Sequence, residues 1–448
     1  MRSSTLSPST LARQTSASRD RYVDFLRLAS IVVVVLGHWL MAVVVWQGSE
    51  FRTGNAIAMT PGLWIATWLL QVMPIFFFVG GFANLATVDA LRRNGAGASE
   101  FVAGRVARLL KPVAVLLAVW LPAAVALQAA GVDGRVLGTA TKLVCQPLWF
   151  IGVYLAVTAL APRMRALHAQ HRYGTVVALA TIAATVDIVR FGVGVDALGY
   201  VNLLVVWLFA QQLGFFYGDG TLVKLSTRRL IAIAAGALGA LALLTTVGPY
   251  PSSMVGLPGD RISNMSPPTI CIVALTVLQV ALVMLARPFV QRRLQRERLW
   301  TGVIAGNGMI MTVFLWHLSA ALIAIAALHA LGAPQPAGGS LAWWATRPIW
   351  IAAASMPLAV LVACFARFER PRPQQYRATK RYAPVAAGAG IVLLSFAVFG
   401  IACSNVVDLV AGKPVTMAVI TVAPLFLLGC AATGLACVRH AAPATRAA

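Results

Sequence analysis

Apolar runs of about twenty residues recur along the whole chain, separated by short polar, basic or Gly/Pro-rich connections. They lack the period of a half-exposed strand or an amphipathic helix. About twenty apolar residues is the length a helix needs to cross a ~30 Å hydrocarbon core. Such runs lie near residues 28–47, 62–88, 110–130, 147–161, 174–192, 198–217, 230–247, 268–286, 303–331, 343–365, 384–402 and 415–437. The pattern predicts an all-α integral membrane protein of about twelve transmembrane helices with no intervening soluble domain. Pro74, Pro122, Pro357 and Pro424 fall inside or beside these runs and are expected to kink them. The connection 248–268, with several Gly and Pro and with Asp260 and Arg261, is expected to cover or line an outward-facing cleft.

Composition agrees, since 59% of the 448 residues are hydrophobic and 11% charged, too few charges for a soluble surface. The formal charge of +23 raises the question of nucleic acid. Its placement answers it: Lys and Arg concentrate in alternate connections, as the positive-inside rule requires if both termini are cytoplasmic. Arg92/Arg93, Arg105/Arg108/Lys111, Arg292/Arg293/Arg296/Arg298 and the basic stretch 367–381 are therefore expected to face anionic lipid, with the bilayer and no nucleic acid as partner. Residues 1–20, rich in Ser, Thr and Arg, predict a disordered cytoplasmic tail. The first apolar run is too long for a signal h-region and lacks an Ala-x-Ala exit, so it is expected to stay. The six cysteines show no C-x-x-C or Cys/His spacing, so no metal site is expected. Cys145, Cys271 and Cys403 would lie near outer helix ends, where they are either small buried hydrophobes or disulfide partners.

The first run carries the least lipid-compatible residues, Asp24, Arg27 and His38. At ~100° and ~1.5 Å per residue, Arg27 and His38 share a face about 16 Å apart, and Asp24 joins them one turn earlier. Arg27 alone reads as a snorkelling anchor. His38, expected at mid-bilayer depth, is costlier and marks a pathway or a reaction, with an unperturbed pKa suited to proton exchange near neutrality. Pro74 and the Gly80-Gly81 pair allow close approach of either a neighbouring helix or a slender ligand chain. Arg105 and Arg108, at i and i+3, suit phosphate binding, although positive-inside charge also explains them.

Together these segments resemble the acyltransferase 3 family of multi-pass membrane acyltransferases. The resemblance lies in Asp24-x-x-Arg27 with His38 beyond it, the turn Phe77-Phe78-Val79-Gly80-Gly81-Phe82, the Arg105/Arg108 pair, Trp149-Phe150, Leu315-Trp316-His317 and Phe368-Glu369-Arg370-Pro371. It implies a ten-helix transmembrane core over residues 21–371, beyond which this sequence departs from the family pattern by adding, at 372–448, two additional helices and a short C-terminal tail. The sequence departs from the family in having Gly80 where many relatives carry Ser.

The activity implied is transfer of an acyl group, commonly acetyl, from cytoplasmic acyl-CoA to a hydroxyl of a glycan, glycolipid or natural product. Acyl-CoA is then a co-substrate, and no bound cofactor is expected. The resemblance assigns the reacting imidazole to His38, as base or as nucleophile, and the donor phosphates to Arg27, Arg105 and Arg108. Asp24 is expected to pair with Arg27, Gly80 and Gly81 to pass the pantetheine arm, and Trp149 to anchor a helix end. His317 has either an acceptor-side or relay role or is a packed imidazole, and Glu369 is expected to pair with Arg370. High Ala and Arg usage points to a bacterial plasma membrane. A proton-coupled twelve-helix secondary transporter using His38 and His317 fits the helix count equally well.

Overall fold

In the computed structural model the described residues are 7–16, 19–47, 50–95, 97–369, 375–378, 383–417, 420–435 and 438–441. They are mostly helical, and nine helical stretches among them are long and apolar enough to cross a membrane. One, Gly134–Val193, contains two of the expected spans, joined where the backbone leaves helical geometry at His171 and Arg172. The main helices are α1 (Pro8–Arg13), α2 (Arg21–Met41), α3 (Met73–Arg93), α4 (Ala98–Ala129), α5 (Leu148–Val193), α6 (Asn202–Gly218), α7 (Thr227–Thr246), α8 (Ile270–Arg293), α9 (Glu297–Asn307), α10 (Ile310–Ala330), α11 (Arg347–Phe365), α12 (Ala383–Cys403) and α13 (Pro424–Leu435). They form two compact units: Met1–Phe82, Val176–Val313 and Gly332–Ala353 in the first, and Ala83–Thr175, Phe314–Leu331 and Ala354–Ala448 in the second.

In the first unit α2 starts at Asp20, whose carboxylate accepts the Tyr22 and Val23 N–H groups that no helical carbonyl can reach. It ends at Met41, short of the expected 47. The next residues, Ala42–Gln47, form a strand paired antiparallel with Glu50–Asn55. Val43, Val44 and Val45 are as apolar as the helix before them, but their β-branched side chains favour extended backbone.

The second expected run is likewise broken. Short turns over Leu63–Ala66 and Thr67–Leu70 precede α3, which begins at Met73. Pro74 therefore sits in the first turn of a new helix, where its missing N–H costs nothing, and produces no kink. Gln279 of α8 satisfies the carbonyls freed by the break, its amide donating to Trp68, Leu69 and Gln71 oxygens.

The connection 248–268 is tied to that broken segment and to α5. Trp68 Nε1 donates to Ser252 O, and the Met254 N–H donates to Thr67 Oγ1. Asp187, fully buried, accepts from Tyr250 Oη, the Ile270 N–H and Asn202 Nδ2.

Within the segment expected to be a disordered tail, α1 packs on α9. Ala12 is buried with Leu294, Trp300, Val303 and Ile304, and Trp300 Nε1 donates to Thr15 Oγ1. Low overall hydrophobicity hid a single apolar anchor.

The second unit holds the two helices beyond residue 371, and they are not an appendix. Ala397, Val398 and Ile401 of α12 are fully buried. A Cβ on Gly152 of α5 would lie 3.0 Å from Ser395 O and Phe399 N of α12. Residue 371 is thus no packing boundary. Elsewhere in this unit polar pairs cross between helices, Trp120 Nε1 donating to Ser319 Oγ at 3.0 Å. Cys145, Cys271 and Cys403 are free thiols, so the disulfide considered among them is not formed.

Candidate active site

The first unit carries Asp24, Arg27, His38, Gly80 and Gly81. Asp24 and Arg27 form the ion pair expected from their spacing, Arg27 Nη1 to Asp24 Oδ1 at 3.0 Å. The other Asp24 oxygen accepts from Arg19 Nε at 2.6 Å. Asn307 Nδ2 donates to the Asp24 carbonyl. Arg27 is thereby held in one orientation on a buried carboxylate, its side chain still 28% exposed. One turn earlier Asp20 accepts from Tyr217 Oη at 2.6 Å, and Arg287 Nε donates to the same Tyr217 oxygen at 3.1 Å. Arg19 and Arg21 lie over the Trp300 ring. This end of α2 therefore concentrates four arginines, Arg19, Arg21, Arg27 and Arg287, around Asp20 and Asp24.

His38 stands on the same face as Arg27, about 16 Å further along. Because α2 stops at Met41, it lies in the last turn and not in the middle of a longer span. It is partly buried. Two hydrogen bonds finish that turn: the Ala42 N–H donates to His38 O, and Trp350 Nε1 of α11 donates to Trp39 O at 2.8 Å.

Gly81 does not line a passage. The backbone of Gln211 occupies the place its side chain would take, and Gly214 is equally closed by Phe78 O. At Gly81 the close approach is that of a neighbouring helix. Gly80 beside it is buried.

The second unit carries Arg105, Arg108, Trp149, His317 and Glu369. Arg105 Nη2 donates to Ala83 O at 3.0 Å and to Thr87 Oγ1 at 2.6 Å, so its guanidinium clamps α4 to α3. Arg108 is exposed. Trp149 packs edge-on to Phe150, which also meets Phe314. His317 is fully buried, and its Nδ1 donates to Phe314 O at 2.6 Å. In a neutral ring that bond leaves Nε2 as the acceptor nitrogen. Glu369 is partly buried at the end of a 3-10 turn, while Arg370 and Pro371 lie outside the described residues.

Sequence reasoning missed Arg19, Asn307, Tyr217 and Arg287. Only Asp20, a helix-capping residue directly before an apolar run, carried a local signal. Tyr217 and Asn307 are single polar residues in apolar surroundings and identify no partner.

Apolar spans, with a charged face at one end of α2, define a multi-pass membrane protein. The acyltransferase 3 family model, an acyltransferase domain, matches residues 20–368, and the chain belongs to that family. The match decides for an acyltransferase over the transporter that helix count left open. No curated protein and no solved structure matches the chain.

Proposed function

We propose that the protein transfers an acyl group, acetyl in the simplest case, from cytoplasmic acyl-CoA to a hydroxyl of a glycan, glycolipid or natural product, with His38 as the base. The observation that carries this reading is the face of α2 itself: an arginine fixed on a buried carboxylate at one end and an imidazole in the last turn at the other. A purely structural helix has no use for both, because each costs free energy in a bilayer.

In this mechanism the neutral His38 ring removes the proton from the acceptor hydroxyl as its oxygen attacks the thioester carbonyl. The tetrahedral intermediate collapses with rupture of the C–S bond. The CoA thiolate leaves and takes the proton from the imidazolium, so ester and free thiol are the products and the ring is restored. Arg27, held by Asp24, supplies fixed positive charge for the anionic donor. Arg105 contributes by holding α4 against α3.

The test is release of free CoA from acetyl-CoA by the purified protein in liposomes with a hydroxyl acceptor. His38→Ala is expected to abolish release while the melting temperature stays near that of the parent. Full turnover in a folded His38→Ala protein would remove the assignment.

A further inference from the structure

An open cavity of about 530 Å³ lies at the Arg93 end of α3, within the second unit. Asp89, Arg92 and Arg93 of α3 line it, with Arg165, Ala166, Ala169 and Gln170 of α5. Asp89 Oδ1 accepts from Arg165 Nε at 2.9 Å, which orders that side chain while using only one of its donors. Three guanidinium groups against one carboxylate leave the lining with a net charge of +2 (3 − 1). Positive-inside topology accounts for arginines at such a rim. It accounts neither for a cavity between them nor for a carboxylate that orients one of them.

Planar guanidinium forks match phosphate oxygens two at a time, and a cavity of this size falls in the range of small-ligand sites. Arg105, whose spacing first suggested phosphate, is instead engaged with Ala83 and Thr87. The geometry points to the Arg92/Arg93/Arg165 cavity as a site for a phosphate-bearing ligand. On the acyltransferase reading, on which the ligand's identity rests, the phosphates are those of the nucleotide end of acyl-CoA. An anionic phospholipid headgroup presents the same chemistry.

The experiment titrates the full chain, in nanodiscs of phosphatidylcholine alone, with adenosine 3′,5′-bisphosphate by calorimetry. Saturable binding is expected, weakened about tenfold or more in Arg92→Gln/Arg93→Gln and in Arg165→Gln, as the loss of charge-assisted bonds requires. Arg92→Lys/Arg93→Lys is expected to retain most of the affinity. Where the double variant does not fold, the singles Arg92→Gln and Arg93→Gln carry the test. A second arm adds phosphatidylglycerol to the nanodisc and counts retained lipids by native mass spectrometry. Arginine-dependent retention without nucleotide binding assigns the phosphate to lipid and supports the site while removing acyl-CoA as its ligand. Parent-like binding of both nucleotide and lipid by folded Gln variants overturns the proposal.

Neither readout requires turnover, so the two readings separate. Arginine-dependent binding with no CoA release leaves the phosphate site standing without the transferase. CoA release with an unaltered KM for acetyl-CoA in the Gln variants, together with parent-like binding of nucleotide and lipid, overturns the site and leaves the transferase.

Discussion

Gly81 and Gly214 meet where α3 and α6 cross, each occupying the space a side chain would need against the other helix's backbone, Gln211 O on one side and Phe78 O on the other. Phe77 and Trp207 stack beside the crossing at 4.6 Å. Between membrane helices both alternatives to contact are apolar, so close backbone packing carries much of the association energy. The obstruction at Gly81 is backbone and cannot rotate away. Gly81→Leu is therefore expected to abolish monodisperse expression, and Gly81→Ala to lower the melting temperature by several degrees. Gly236→Ala on α7, where a Cβ meets nothing, is expected to be neutral or slightly stabilising, by up to about 1 kcal/mol. Size-exclusion profiles score Gly81→Leu, and thermal melts in one detergent compare the two alanine variants.

The ion-pair cluster around Asp24 makes a different demand. Its carboxylate is buried between two arginines whose side chains are 45% and 28% exposed. Asp24→Asn leaves both cations without their anion and is expected to cost about 1–3 kcal/mol, below the fully buried case because solvent reaches the arginines. Arg27→Gln removes one of two partners from the same carboxylate and is expected to cost less. It is also expected to raise the KM for acetyl-CoA through loss of the charge that faces the donor. Denaturation midpoints and CoA-release kinetics separate the two effects.

Much of this architecture was legible in the sequence, and the failures have identifiable causes. The run expected at 268–286 is α8, and apolar length alone finds it, because nothing within it interrupts helix. The run expected at 28–47 was read too long because hydropathy does not separate Leu-Gly-His-Trp, which stays helical, from Val43-Val44-Val45, which turns into a strand. The Asp24–Arg27 pair was legible because it is local, at i and i+3 on one helix. The Gly80-Gly81 pair was recognised, but its choice between helix and ligand depended on Gly214, far downstream and with no sequence mark linking them. Arg105 illustrates the same limit: spacing identified an arginine pair, and only tertiary structure reveals that Ala83 and Thr87 use one of them.

The family match ends at residue 368, yet packing in the second unit continues through α12 and α13. A chain truncated after residue 371 would leave Gly152 and its neighbours facing lipid in place of Ser395 and Phe399. It would also remove Val406, whose N–H donates to buried Thr141 Oγ1. The truncated chain is expected to aggregate on extraction, and coexpression of residues 372–448 as a separate fragment to restore a monodisperse species. Size-exclusion profiles of the two preparations test this.

Trp350 and His38 offer the finest test of the proposed site. Trp39 O lies in the last turn of α2, just before the chain enters a strand at Ala42. The Trp350 indole donates to this carbonyl at 2.8 Å, adjacent in sequence to His38. Trp350→Phe keeps most of the ring volume and deletes only the N–H. Loss of one buried neutral hydrogen bond is expected to cost about 1 kcal/mol, a modest shift in melting temperature. If the indole also holds the last turn, and with it the His38 ring, kcat for CoA release should fall several-fold while the KM for acetyl-CoA stays near the parent value. A merely structural bond would lower the melting temperature and leave kcat of the folded fraction unchanged.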